Sequence, residues 1–413
     1  MQTILSHVFP NGLVLVAEPM RSVESAAFTF LIPAGCIRDA GTKGGLSGFT
    51  CDMVMRGAGP RDSRQLIDGL DQLGLERGES VSSAHTSFSG ALLASDLEAA
   101  LEIYADVLQR PRLPEDQLES SRQVMLQELE SVDDDPHQKV IIELRRRHYP
   151  EPWGLPSQGD LDGLESIDVA DVRRAFGQNY HPNGAILGVA GKIDWDWLRD
   201  HVEKLFGNWQ KRDDAPIVEQ GERVRRDHIE FEGHQTHIGI AYESVPYRHS
   251  DYFQAWGAVG ALSGGMSSRY FTEVREKRGL CYTVYATYQT LKDRASVISY
   301  AGTSADRAQE TLDVMLAELK RLSEGIQPHE IDRLKARIKS SLIMQQESTS
   351  ARSSAIARDW YHLGRVRTLS EIGGLVDDLS VDSINSYLQK DPPRDFTVVT
   401  LGPKPLEVPE SVS

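Results

Sequence analysis

Apolar runs near the start of the chain recur in its second half. Leu13–Pro19 (LVLVAEP) and Ala26–Gly35 (AAFTFLIPAG) are short, rich in β-formers and bounded by turn residues, which predicts strands. Asn11 and Gly12 supply a turn signal just ahead of the first. His228–Gly233 (HIEFEG) and Thr236–Val245 (THIGIAYESV) repeat the pattern. Each half then carries two stretches with apolar spacings of three and four, the period of amphipathic helices. These are Ser95–Arg110 and Leu113–Ser131 in the first half, and Ser304–Leu322 and Ile326–Gln346 in the second. The two pairs superpose at an offset of about 210 residues, with Leu101 on Leu312, Leu108 on Leu319, Leu118 on Ile331 and Leu129 on Leu342. Pro114 and Pro328 fall near the start of each second helix, where first-turn N–H groups lack intrahelical partners.

A strand-then-helix order that occurs twice predicts an internal duplication. The expected fold is α+β: two homologous α/β-sandwich domains, each a mostly antiparallel sheet covered by helices. The polar stretch from Gln210 to Arg226 reads as a connection, which places the domains at 1–212 and 227–413 with a linker at 213–226. A length of 413 residues fits two or three domains.

The formal charge of −16 argues against sequence-independent nucleic-acid binding, which needs a basic surface. Three cysteines without paired spacing, Cys36, Cys51 and Cys281, argue against a disulfide framework and suit a reducing compartment. No basic stretch followed by an apolar run opens the chain, and no apolar segment reads as a membrane span. The expectation is a cytoplasmic protein without membrane or nucleic-acid partners.

Four stretches carry a resemblance. Ala261–Ala286 (ALSGGMSSRYFTEVREKRGLCYTVYA) is similar to L-G-G-G-x-S-S-R-L-F-x-x-x-R-E-x-x-G-L-x-Y-x-V of the insulinase/pitrilysin-type inverted zinc peptidases. Asn179–Asp194 (NYHPNGAILGVAGKID) resembles their Y-H-P-N-N-M-x-L-x-x-x-G-D, and Ala34–Asp39 (AGCIRD) their A-G-S-R-x-E. Gly45–Ala58 (GLSGFTCDMVMRGA) resembles their zinc helix, G-L-A-H-F-x-E-H-M-x-F-x-G-T. In that helix the two His of H-x-x-E-H bind zinc and the Glu activates the metal-bound water.

Carried over position by position, the zinc chemistry is missing here. The first His falls on Gly48, the Glu on Cys51 and the second His on Asp52. The third ligand of the family, a Glu on a later helix, falls on Glu128, and the Glu supporting it falls on Ser121. Cys51, Asp52 and Glu128 could converge on a metal, because helix positions 48, 51 and 52 share a face. Asp52 is short for the task and Cys51 stands at the base position, so the favoured reading is a buried cysteine, a capping or solvated aspartate, and no metal. The resemblance further implies an Arg and a Tyr given to the active site by the second half, at Arg275 and Tyr282. The Tyr hydroxyl would serve the oxyanion, and the Arg the substrate backbone.

Other motifs are weaker. His234 and His237 read as surface residues of a strand, since i and i+3 face opposite sides. SGGMSS lacks the G-K-S/T of a phosphate loop. Asp133–Asp135 reads as a solvated turn, and Trp195–Trp197 as packing at a helix start.

The sequence therefore points to a non-catalytic subunit, inactive alone. A homologous H-x-x-E-H partner would hold the zinc, this chain would hold no cofactor, and a peptide would be the substrate. The alternatives are a scaffold or binding subunit of the same fold, and an autonomous peptidase with a rebuilt site.

Overall fold

The computed structural model describes residues 2–409. Its chain forms two compact units, each with one large sheet. The first takes residues up to Ser131, Glu151–Glu219 and Ile343–Thr368; the second takes Val132–Pro150, Gln220–Leu342 and the chain from Leu369 on. Residues 210–225 contain no helix and only an isolated bridge residue, and are almost entirely exposed.

The first sheet has six strands, in the order Leu5–Val8, Val14–Pro19, Ile186–Gly191, Ser25–Ile32, Thr86–Leu93 and Glu76–Val81. Only the pair Val14–Pro19 and Ile186–Gly191 runs parallel. The second sheet orders Cys281–Thr290, Ala295–Ser304, Gln235–Ser244, Thr397–Gly402 and Arg226–Glu230, again with one parallel pair, the last two. Two mostly antiparallel sheets, each covered by helices, make this a duplicated α+β fold.

The superposed helices do the same job in both units. Leu101 and Leu108 of Leu97–Gln109 are fully buried in the first core, as are Leu312 and Leu319 of Ala308–Leu322 in the second. Burying a leucine side chain contributes about 1.5–3 kcal/mol, so these stripes hold each helix to its sheet. The first core adds an aromatic cluster in which Phe28 meets Tyr104 edge-to-face at 4.9 Å.

Each repeat also has a third helix that joins the unit of the other. Pro136–His148 packs on the second sheet, where buried His148 bonds Thr397 Oγ1 at 2.9 Å and Ser296 Oγ at 2.7 Å. Thr349–Leu363 packs on the first sheet. There Arg352, 2 % exposed, donates to Glu18 at 2.8 Å. Its close approach depends on Gly188, where a β-carbon would stand 2.4 Å from the Ser353 carbonyl oxygen. The order of helices thus repeats while the unit each third helix joins is exchanged.

Candidate functional site

Gly48, Cys51 and Asp52 lie on the helix Leu46–Val54, whose N-terminus is held by buried Asp39. Asp39 accepts from the Ser47 N–H at 3.0 Å and the Ser47 hydroxyl at 2.6 Å. Burial nevertheless raises its pKa to about 7, with the Ser47 hydrogen bonds opposing.

The positions on this helix that correspond to the zinc-binding motif are engaged otherwise. Asp52 accepts from Arg56 Nε and from the Ser121 hydroxyl, each at 2.5 Å. Arg56 follows just past the C-terminal end of the same helix, four residues on, and Ser121 is wholly buried on Leu118–Asp133. Ser121, the counterpart of a supporting glutamate, therefore bonds the counterpart of a ligand directly. Cys51 is buried, and burial first, then Glu79, Asp52 and Glu128, pushes its thiol far above the ordinary value. Burial thus disfavours the thiolate, the form that binds metal. Burial, then the Asp52 charge, raises the Glu128 pKa. Over Gly48 the chain closes in, and a β-carbon there would stand 3.1 Å from the Ser157 carbonyl oxygen. With no donor at Gly48, Asp52 held by Arg56 and Ser121, and a buried thiol at Cys51, Glu128 is left without companion ligands, and the set does not fit zinc. Among the described residues, the group of three such side chains whose donor atoms all lie within 4.8 Å of one another is elsewhere, at Glu98, Glu102 and His201.

Arg275 and Tyr282 come together in the second unit. Ser268–Glu276 does not wind as a regular α-helix: Phe271–Glu276 is π-helical, a local widening frequently found at functional sites. Gly279, at φ +56°, ends it, with its N–H on the Arg275 carbonyl at 2.9 Å and the Leu280 N–H on Val274 at 2.9 Å. The chain then enters Cys281–Thr290, an edge strand. The pairing slips between Cys281 and Thr283, so Tyr282 is the extra residue of a bulge. A π-turn and a β-bulge, six residues apart, thus re-aim one side chain each.

The outcome is a stack. The Arg275 guanidinium lies 4.8 Å from the centroid of Phe271 and 4.8 Å from that of Tyr282, within range of a cation–π contact on both sides. Tyr282 is 81 % exposed. The turn between them is braced by Arg307, which donates to the carbonyls of Gly279 and Arg278 at 2.8 Å each. Glu273 ties down Lys277 and Arg278 at 2.7 and 2.8 Å. Phe271 and Arg307 were not singled out from sequence. Phe271 stands four residues before Arg275, a spacing that stacks side chains on a helix, and was legible in principle; Arg307 acts across distant sequence and was not.

The HQTH pair separates. His234 is exposed, but His237 is not the surface residue expected from the pattern. It is buried on Gln235–Ser244 with Nδ1 2.8 Å from the Tyr300 hydroxyl, because this strand is central and both its faces are covered. Asp135 caps Pro136–His148 through the His137 and Gln138 N–H groups. Trp195 opens the helix Trp195–Phe206 and packs against the first core.

Residues 14–152 match the family model for insulinase (peptidase family M16), and residues 166–338 match that for the peptidase M16 inactive domain. This chain belongs to the insulinase-type M16 peptidase family. It is similar to the uncharacterized zinc protease YmxG of Bacillus subtilis (strain 168), at 27 % identity over 398 residues, covering 95 % of this chain and 97 % of that one. An uncharacterized zinc protease of Rickettsia felis is 25 % identical over 398 residues, covering 96 % and 97 %. Two solved structures share the fold of this M16 chain. A peptidase M16 inactive domain from Pseudomonas fluorescens has a TM-score of 0.89 at 21 % identity, covering 98 % of this chain and 99 % of that one. A protease from Helicobacter pylori has a TM-score of 0.89 at 19 % identity, covering 98 % and 100 %. No helix among the described residues is long and apolar enough to cross a membrane.

Proposed function

We propose that this M16 chain is the non-catalytic subunit of a two-chain zinc peptidase. It presents Arg275 and Tyr282 to a peptide bound at the zinc site of a homologous H-x-x-E-H subunit. The observation that carries this reading is the stack: Arg275 fixed between two rings by a π-turn and a bulge, beside a tyrosine 81 % exposed. A structural tyrosine would bury its ring and bond its hydroxyl.

On this reading the Tyr282 hydroxyl donates to the carbonyl oxygen of the scissile bond as charge gathers there. Arg275 keeps its planar fork oriented by the two rings and holds backbone carbonyls of the peptide. The helix Leu46–Val54 gives neither base nor ligand; both come from the partner.

A scaffold role is favoured by one observation, that the rings on either side of Arg275 also make a self-sufficient cation–π packing unit. Reconstitution separates the two. The expected result is that this chain alone cleaves no reporter peptide, and that mixing it with the H-x-x-E-H subunit restores turnover well above that subunit alone. A subunit fully active without this chain would leave only the scaffold.

A further inference from the structure

Away from the helix Leu46–Val54, the first unit brings two carboxylates and an imidazole together on neighbouring helices. Glu98 and Glu102 stand one turn apart on Leu97–Gln109, and His201 reaches them from Trp195–Phe206. One donor atom from each lies within 4.8 Å of the other two. Both glutamates are exposed, but His201 is only 6 % exposed. Its Nδ1 faces Glu98 Oε1 at 3.7 Å, beyond hydrogen-bond reach. Its Nε2 is sealed from solvent with no partner at all. Trp197 stacks on the ring, centroids 5.2 Å apart and planes within 11°, and so fixes its orientation.

Left to themselves these groups are badly matched. Like charges at i and i+4 on a helix repel. A buried imidazole that makes no hydrogen bond has lost its water and received nothing in exchange. A cation held between the carboxylates and Nδ1, the nitrogen that faces Glu98, relieves the repulsion and gives the ring a partner on that side, leaving Nε2 as it is. Two donors each about 2.1 Å from an ion stand roughly 3.0–3.4 Å apart, so small rotations of the exposed glutamates close the observed spacing. The imidazole decides the class of ion: nitrogen donors suit zinc, nickel, cobalt and copper, whereas magnesium and calcium prefer an all-oxygen shell.

We propose that Glu98, Glu102 and His201 form a binding site for a divalent transition-metal ion, completed by water. The ion would staple the two helices, whose opposite faces are anchored in the first core by Leu101, Leu108, Val202 and Phe206. The site does not rest on the proposed peptidase role, and its residues take no part in the Arg275–Tyr282 stack.

The test is zinc binding to the full-length chain by calorimetry, together with thermal unfolding in zinc and in magnesium. The expected result is one zinc per chain, removable by EDTA, and a Tm that rises with zinc concentration but not with magnesium. Glu98→Gln with Glu102→Gln should abolish both the binding and the shift; both side chains are exposed, so the variant folds as the parent does. His201→Gln should behave likewise. The absence of zinc binding would overturn the proposal. So would zinc binding that survives the double substitution, which would place the ion elsewhere in the chain.

Discussion

The helix Leu46–Val54 and the stretch Phe271–Tyr282 are the two places where the family resemblance carries chemistry, and they use their polar groups in opposite ways. In the first, polar groups are turned on one another: Asp52 is held by Arg56 and Ser121, Cys51 is buried, and the Ser157 carbonyl stands over Gly48. In the second, the bonding is confined to the support. Glu273 and Arg307 fix the turn, while the Tyr282 ring stands in the open beside Arg275. On the proposed reading, a site that has become structure pairs its polar groups internally, whereas a working site has braced surroundings and an exposed end. The difference predicts a double dissociation. Changes at Asp52 should cost stability without touching turnover of the assembled enzyme, and changes at Arg275 or Tyr282 should do the reverse.

The largest expected effect is on turnover. Arg275→Ala removes the guanidinium and leaves Tyr282 without its neighbour, so kcat/KM of the reconstituted complex should fall on the order of 10²–10³-fold, with KM raised. Steady-state kinetics on one peptide checks this, and the zinc content of the partner should not change.

Next come attempts to reopen the first site. Gly48→His, Cys51→Glu and Asp52→His together should cost about 2–4 kcal/mol, because crowding at Ser157 adds to the loss of the Asp52 acceptors. Urea unfolding of the isolated chain measures it; a triple variant as stable as the parent and able to cleave peptide would erase the distinction between the two regions. Asp52→Ala alone should cost about 1–3 kcal/mol, since it strands the Ser121 hydroxyl and the mostly buried Arg56. Tyr282→Ala, on an exposed side chain, should stay within about 0.5 kcal/mol.

A further effect is one of pH. The Asp39 carboxyl has a native pKa of about 7 against an ordinary 3.8, raised by burial. The native state therefore holds this proton more tightly than the unfolded chain does. Its contribution to stability is complete below about pH 3.8 and is lost as pH rises through about 7. Asp39→Asn should flatten stability over that interval, as read by unfolding midpoints across pH.

Much of this was legible in the chain because the signals are local. The paired leucines at Leu101, Leu108, Leu312 and Leu319 and the apolar strand runs need only periodicity, and they lie where periodicity puts them. The positions of Arg275 and Tyr282 came from motif spacing. The π-turn and the bulge that aim them did not, since both depend on how the strand Cys281–Thr290 pairs with Ala295–Ser304. The helices Pro136–His148 and Thr349–Leu363 were also missed. Each finds its apolar surface on the sheet of the other repeat, which no window of sequence contains. His237 was misread for the same reason: only the sheet order shows that its strand is central.

The account turns on Tyr282→Phe in the complex with the H-x-x-E-H subunit. The substitution deletes one hydroxyl and keeps the ring against Arg275, so assembly and the stack are unaffected. If that hydroxyl serves the developing oxyanion, kcat should drop on the order of 10²–10³-fold with KM little changed. A verified complex carrying Tyr282→Phe that turns over peptide at the parent rate would contradict it, leaving this chain as a scaffold.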